Sequence, residues 1–333
     1  MSELPLVSIV TPSYNQATYL EQTIRSVLAQ RDESRAAFRL EYIVVDGGST
    51  DNSQEVIRRF ADQLAWWVSE PDQGQAQAIN KGFQHAHGEI LGWLNSDDLY
   101  LPHAIQQAVS AFQTNPHLGL VYGDALSIDA EGRPINRLKF GDWGLSDFVR
   151  FRVICQPAVF FRRSVWERAG GLDESYHYML DHHLWIKIAR LAEIQHLPEL
   201  LAAARQHPAA KNVAQAARFG EETQRIYTWM MTQPDLAAVV RHSERQVRAG
   251  VYRLSARYLL DGGLPAKALR VYLTALKEDP LFTLKHWHRI LYAILSLAGG
   301  DGLRQRYYAL TRRRRFEALR KLPLEDWPGI LLK

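Results

Sequence analysis

The sequence predicts an α/β protein in which a mostly parallel sheet is flanked by helices and followed by an all-helical C-terminal region. Three observations carry that expectation. Over the first half, short apolar runs alternate with stretches of helical period, always in the order strand, loop, helix. Each apolar run closes on a cluster of Asp, Asn, Ser, Thr, Gly or Pro. Beyond Val213 the β-branched runs give way to long helix-forming stretches. Parallel strands need helical crossovers, so repeated βα alternation implies a sheet covered by helices.

Leu6–Val10 is the first strand and ends in Thr11-Pro12-Ser13-Tyr14-Asn15; Tyr19, Ile24, Val27 and Leu28 then recur at helical spacing. Leu40–Val45 is the second strand. It stops at Asp46-Gly47-Gly48-Ser49-Thr50-Asp51, where glycines permit a tight turn and the polar side chains cap a helix carrying Val56, Ile57 and Phe60. Ala65–Ser69 gives a third strand, followed by Pro71-Asp72-Gln73-Gly74 and a helix to about His85. Glu89–Leu94 is the fourth, closed by Asn95-Ser96-Asp97-Asp98, with Pro102 opening the next helix, and Leu118–Tyr122 is the fifth. From 142 to 207 the pattern is less regular, with Pro157–Phe161 strand-like and Asp181–Leu191 helical. In parallel α/β sheets ligands sit beyond the carboxyl ends of the strands, which is where these polar clusters fall.

The expected division is 1–212 for the α/β domain and 213–333 for the helical region. Within the latter, Ala256–Pro280 resembles one tetratricopeptide unit without a clear second copy, so a single helical hairpin is expected. The segment after residue 298 holds nine Lys/Arg, Arg312–Arg315 among them, against four acids, while the whole chain carries only +4. Such a tail suits an anionic membrane surface or a solvated helix face. Composition narrows the classes further: 47% hydrophobic and 23% charged residues exclude a disordered chain, and the lone Cys155 excludes an intrachain disulfide. Neither a secretory signal nor a spanning helix is expected, because Ile290–Ala298 falls far short of the ~20 apolar residues needed. A cytoplasmic protein at the inner membrane face is the expectation.

Four motifs in series carry a resemblance: Val-Ser-Ile-Val-Thr-Pro-Ser-Tyr-Asn from Val7, Val-Val-Asp-Gly-Gly-Ser-Thr-Asp ending at Asp51, Ser-Glu-Pro-Asp-Gln-Gly-Gln-Ala-Gln-Ala-Ile-Asn-Lys-Gly-Phe ending at Phe83, and Gly-Trp-Leu-Asn-Ser-Asp-Asp ending at Asp98. Over roughly Val7–His207 the chain resembles the family 2 glycosyltransferases of GT-A fold. No Gly-x-Gly-x-x-Gly follows the first strand, so a dinucleotide fold is not indicated. The resemblance implies sugar transfer from a nucleoside-diphosphate sugar to a carbohydrate or lipid-linked hydroxyl, with inversion, in polysaccharide or glycolipid synthesis.

It also implies a division of labour among residues. Thr11, Pro12, Tyr14 and Asn15 are expected to hold the nucleobase, a plain βα loop being the alternative. Asp46 is expected to accept from a base N–H or ribose hydroxyl, with Asp51 as a helix cap. Asp72 and Lys81 add donor contacts, Lys81 as a point charge for phosphate or else as an ordinary exposed helix lysine. Asn95-Ser96-Asp97 stands where the family carries Asp-x-Asp, which holds Mg²⁺ or Mn²⁺ against the donor diphosphate. With Asn95 replacing the first acid, Asp97 is the expected direct metal ligand and Asp98 a neighbouring or ribose contact. His207 is expected to add a metal ligand, within an Arg205–Lys211 segment that folds over the diphosphate.

Asp181, in Met179-Leu180-Asp181-His182-His183-Leu184-Trp185, matches the general base, although Leu180 replaces a glutamate; capping its helix is the alternative. Gln156 and Trp185 belong to the acceptor side, Trp185 with Tyr178 being available to stack on a sugar. His177, His182 and His183 are not read as a zinc site, since adjacent side chains diverge and no cysteine pair accompanies them. Two other classes compete. A GT-A scaffold of weak or no activity that binds nucleotide or glycan is favoured by Asn95 and Leu180. A nucleotidyltransferase usually opens with a glycine-rich basic loop after strand one, unlike Thr11–Asn15.

Overall fold

A computed structural model describes residues 4–31, 37–207, 215–297 and Leu319. The basic segment Arg312–Arg315 and Lys211 lie outside the described residues. The chain forms two units: 1–144 with 154–206 and 318–333, and 145–153 with 207–317. The second unit thus recruits a nine-residue strip from within the stretch expected to belong to the α/β domain.

In the first unit, β1 (Leu6–Ser13), β2 (Arg39–Asp46), β3 (Trp66–Ser69) and β4 (Ile90–Trp93) are mutually parallel, in the order β3-β2-β1-β4. Val7, Ile9 and Val10 on β1 and Tyr42–Val45 on β2 are buried on both faces, as parallel strands between helices must be. The helices are α1 (Ala17–Leu28), α2 (Ser53–Arg59), α3 (Gln75–Gln84) and α4 (Ala104–Thr114). On α1 the apolar stripe Leu20, Ile24, Val27 faces the core, while Glu21 and Arg25 pair outside at 2.8 Å. Helix α3 lies close on β1, for a Cβ at Gly82 would stand 2.5 Å from Val10 Cγ1.

Beyond β4 the sheet continues through β8 (Val159–Arg162), β6 (Leu118–Ile128), β9 (Glu193–Arg205) and the two-residue β5 (Leu99–Tyr100), with β7 (Pro134–Leu138) on β6. β8 is antiparallel to both neighbours, whereas the long β6–β9 ladder is parallel. Strand β6 is six residues longer than its sequence signal because the β9 pairing carries it past Gly123, where the register shifts. A Cβ at Gly123 would sit 2.3 Å from Leu201 Cγ. Leu319 packs on Leu99, Leu101, Leu126, Ile128 and Ala203. The remaining helices of this unit are α6 (Arg163–Ala169) and α7 (Leu180–Ala189).

The second unit comprises α5 (Leu145–Phe148), α8 (Ala216–Thr232), α9 (Pro234–His242), α10 (Glu244–Asp261), α11 (Pro265–Glu278), α12 (Pro280–Leu284) and α13 (Trp287–Leu297). α10 and α11 form a hairpin, turned at Gly263 (φ 74°) and cored by Ala256, Leu260, Ala268 and Tyr272. The recruited strip is gripped tightly: Phe148 and Phe151 are fully buried, and a Cβ at Gly250 would stand 2.2 Å from Arg150 O. Among the described residues no helix is long and apolar enough to cross a membrane.

Candidate active site

The parallel strands β1 to β4 end at Ser13, Asp46, Ser69 and Trp93, and the loops that follow are stitched together by side chains. Asn15 takes a left-handed backbone (φ 52°) and accepts from Thr50 N at 2.8 Å, while its own N–H donates to Ser49 Oγ at 2.8 Å. Asp51 accepts from Ala17 N at 3.0 Å and Ser53 N at 2.9 Å, capping two helix starts at once. Partial burial alone would raise the Asp51 pKa, but the hydrogen bonds from Ser53 and Ala17 hold it below the ordinary aspartate value.

Asp46 is fully buried and accepts from Ser49 N (2.9 Å), Ser49 Oγ (2.5 Å) and Ser69 Oγ (2.6 Å). Any donor contact at this carboxylate therefore has to share oxygens already held by two serines, neither of which the sequence reading singled out. Asp72 bridges the second and third loops: it accepts from Gly74 N at 2.8 Å, and its Oδ2 lies 2.7 Å from where a Cβ at Gly47 would be. A side chain at Gly47 would push that carboxylate aside. Tyr14 is 61% exposed at this end of the sheet.

The fourth loop holds a polar chain. Gln75 Nε2 donates to Asn95 Oδ1 at 2.6 Å; Asn95 Nδ2 donates to Gln156 Oε1 at 3.1 Å and to Asp98 Oδ2 at 3.3 Å; and Gln156 Nε2 donates to Trp93 O at 2.8 Å. An asparagine suits this place because it both accepts from Gln75 and donates to Asp98, which an aspartate would repel. Burial, followed by the charge of Asp97, pushes the Asp98 carboxyl well above the usual range, while Arg205 opposes the shift. Ser96 is buried in the turn and Asp97 is half-buried.

Arg205, on β9, is 4% exposed and sits under this turn. Its backbone N–H donates to Asp98 Oδ1 at 2.9 Å, and its guanidinium donates to Asp97 O (2.8 Å), Ala130 O (2.9 Å) and Gln22 Oε1 (2.8 Å) over the Tyr19 ring. It is a buried clamp rather than part of a segment closing over a diphosphate.

Asp181 lies in the first turn of α7, half-buried, and accepts from His182 N at 2.7 Å; Met179 holds the cap position instead. Four residues on, and so on the same helix face, Trp185 is fully buried and stacks on Trp93 with centroids 5.2 Å apart. Trp185 is thus no platform for a sugar, because its ring is shut inside between Trp93 and Phe161. It anchors α7 to the strand that feeds the Asn95–Asp98 turn, which sets Asp181 one helical turn, about 5.4 Å along the axis, from the stack. His177 borders the third loop, its Nδ1 3.6 Å from where a Cβ at Gly74 would be.

The glycosyl transferase family 2 pattern matches residues 8–168. An uncharacterised glycosyltransferase of Nostoc sp. is 31% identical over 229 residues, covering 65% of this chain and 69% of that protein. The chain belongs to glycosyltransferase family 2. Solved structures agree in fold. Staphylococcus aureus TarS 1–349 in complex with UDP-GlcNAc superposes with a TM-score of 0.57 at 14% identity, over 88% of this chain and 92% of that one. A mannosyltransferase of Pyrobaculum calidifontis in complex with GDP-Man and Mn²⁺ gives 0.58 at 22% identity, over 90% and 89%. The chain spans about half, 54%, of a longer TarS structure.

In this family 2 glycosyltransferase several of the side chains expected at the site are already engaged within the fold. Thr11 is fully buried and spends its hydroxyl on Tyr42 OH at 3.0 Å, so its side chain does not face a base; Pro12 is buried beside it. Lys81 is ion-paired with Glu70 at 2.6 Å and only 23% exposed, so it is not a free charge awaiting phosphate. His207 is buried. Gln75 and Ser69 are neighbours of the site to which the sequence assigned no role, and Arg205 has a different place from the one expected. Gln75 was visible as a letter of the third motif, but its partner Asn95 lies twenty residues away, and no spacing rule links them.

Proposed function

We propose that the enzyme is an inverting, divalent-metal-dependent transferase that moves a hexosyl group from a nucleoside-diphosphate sugar to a hydroxyl of a carbohydrate or lipid-linked acceptor. One observation carries the reading: the Trp185–Trp93 stack sets Asp181 on a helix fixed to the strand that feeds the Asn95–Asp98 turn. In the reaction the acceptor oxygen attacks the anomeric carbon on the face opposite the diphosphate. Asp181 takes the hydroxyl proton as the new C–O bond forms, and the bond to the diphosphate oxygen breaks with its electron pair going to the leaving group.

Of the residues expected at the nucleobase, Tyr14 and Asn15 keep that role, with Asp46 for a base N–H or ribose hydroxyl and Asp72 for a further donor contact. Asp97 is the half-open acid of the fourth loop, a hard oxygen donor of the kind Mg²⁺ or Mn²⁺ takes singly or in pairs alongside substrate phosphates. Asp97 would hold such a cation, which would supply charge neutralisation for a departing diphosphate and would offset the charge crowding against Asp98. Asn95 and Gln156 hold the turn in place for both partners.

A panel of UDP, GDP, dTDP and CDP, each with and without Mn²⁺, tests the donor site by thermal shift. At ~100 times its dissociation constant a ligand adds roughly 2.7 kcal/mol, a rise of a few degrees. One nucleotide is expected to stabilise the chain in a Mn²⁺-dependent way, and Asp97→Ala is expected to lose the Mn²⁺-dependent part. No shift with any nucleotide favours the inactive scaffold, the reading to which Asn95 and Leu180 lend weight.

A peripheral contact with anionic membrane belongs to the same proposal. On α13, Trp287, Leu291, Ile294 and Leu297 recur at helical spacing and are each 36–58% exposed, with Lys285 close by. Co-sedimentation with anionic vesicles is expected at low salt and to fall at high salt. Absence of binding at low salt would make this face an ordinary or oligomer-facing surface.

A further inference from the structure

The helical unit holds a cluster of cations that the transfer reaction does not use. Arg253 on α10 is 7% exposed. One terminal nitrogen donates to Phe151 O at 2.7 Å, the carbonyl of a residue in left-handed backbone (φ 58°), but its Nε is buried with no acceptor among the described residues. Arg257, one turn further along the same face, has a buried Nε in the same condition; its nearest acid oxygen, on Asp261, is 3.6 Å away. Tyr272 OH, facing from α11, is likewise buried without a partner. Arg289 on α13 pairs with the same Asp261 at 2.9 Å.

Two guanidiniums thus share one carboxylate, a third has no acid paired with it, and three buried donors from two helices have nothing to bond among the described residues. Buried polar groups are normally satisfied, and a buried unpaired cation is costly, so this arrangement calls for an anion. The crowding is felt locally: His286 is pushed down to about 3, chiefly by burial and then by the charges of Arg253, His288, Arg289 and Arg257. Access is graded. Arg257 and Arg289 keep 40% and 31% of their side-chain surface in solvent, while Arg253 and Tyr272 lie inside.

We propose that Arg253, Arg257, Arg289 and Tyr272 form a binding site for a phosphoryl group, separate from the donor site. A phosphate carries the two negative charges the cluster lacks, and its tetrahedral oxygens accept from guanidinium forks and a phenol together. The group enters past Arg257 and Arg289, and the Arg253 Nε and Tyr272 OH close on it from within.

Thermal-shift titration of the full chain with sodium phosphate, chloride compensating the ionic strength, tests this. A saturable rise is expected, with the apparent dissociation constant raised at least fivefold in Arg257→Gln/Arg289→Gln, whose side chains are half-exposed and whose folding is checked by circular dichroism. The charge-preserving Arg257→Lys/Arg289→Lys pair is expected to keep part of the affinity. Vesicles of phosphatidic acid, set against phosphatidylserine at matched charge, separate the sources. A phosphatidic-acid preference lost in the Gln pair makes the ligand a lipid phosphate; phosphate binding without that preference makes it a soluble one. If the phosphate response is absent, or identical in the wild type and the Gln pair, and no vesicle preference depends on these arginines, the proposal is overturned.

Discussion

Asp181→Asn is expected to lower kcat by about 10²–10⁴-fold, the range that general-base catalysis contributes, while leaving the nucleotide-induced thermal shift intact. The substitution is nearly isosteric. Its Oδ1 still accepts from His182 N, so the first turn of α7 keeps its hydrogen bond, and the Trp185–Trp93 anchor is untouched. What asparagine cannot do is take the acceptor's proton. The measurement is steady-state transfer with the nucleotide sugar whose base the thermal-shift panel identifies, run beside donor binding on the same preparation. Wild-type turnover in the variant would remove Asp181 from the mechanism; lost donor binding would show that its role is structural.

Arg205→Leu is expected to cost about 3–5 kcal/mol of stability, the range for removing one member of a buried charge network. The leucine fills part of the space but leaves Asp97 O, Ala130 O and Gln22 Oε1 without their donor, and removes the cation facing Asp98. The pH dependence has a definite sign. Burial, and then Asp97, already place the folded-state pKa of Asp98 above its unfolded value, so the folded chain holds that proton more tightly than the unfolded one. The stability this group contributes is present at low pH and is lost as pH rises through the folded value. Without Arg205 that value climbs further, and the variant's deficit should be larger at pH 8 than at pH 5. Urea unfolding at the two pH values checks this, and an equal deficit at both would mean that Asp98 is not the group being balanced.

The first four βα units were legible because each strand reads as an apolar run, three of the four largely buried, and each loop carries its own Pro, Gly, Asn or Asp punctuation. Strand β9 was not legible. Glu193–Arg205 contains Pro198 and closes on three alanines and an arginine, and it is extended because β6 lies on one side and β5 on the other, a partnership between distant segments. The site divides the same way. Asp46, Asp72 and the Asn95–Asp98 turn stand at strand ends because the motif order puts them there. Whether a motif side chain faces solvent was beyond reach: Thr11 turns inward because Tyr42 waits on the neighbouring strand, and Trp185 because Trp93 offers a face to stack on. Arg205 looked like the start of a basic loop, and only its burial among backbone carbonyls shows it to be a strut.

The strip 145–153 has a consequence for how this chain can be cut or shuffled. The helical unit is not a cassette attached at one point, because part of its core is encoded inside the transferase sequence. Removing everything after Gln206 would take away Ser243, Gly250 and Arg253, which meet Arg150 and the Phe151 carbonyl, and would leave the strip without the unit it belongs to; the fragment should aggregate. Conversely, grafting 207–317 onto another family member would leave Gly250 pressed against nothing, unless the recipient also receives the nine residues whose Arg150 carbonyl that glycine exists to admit. Heredity of the tail is therefore tied to heredity of the strip, and the two must change together or not at all.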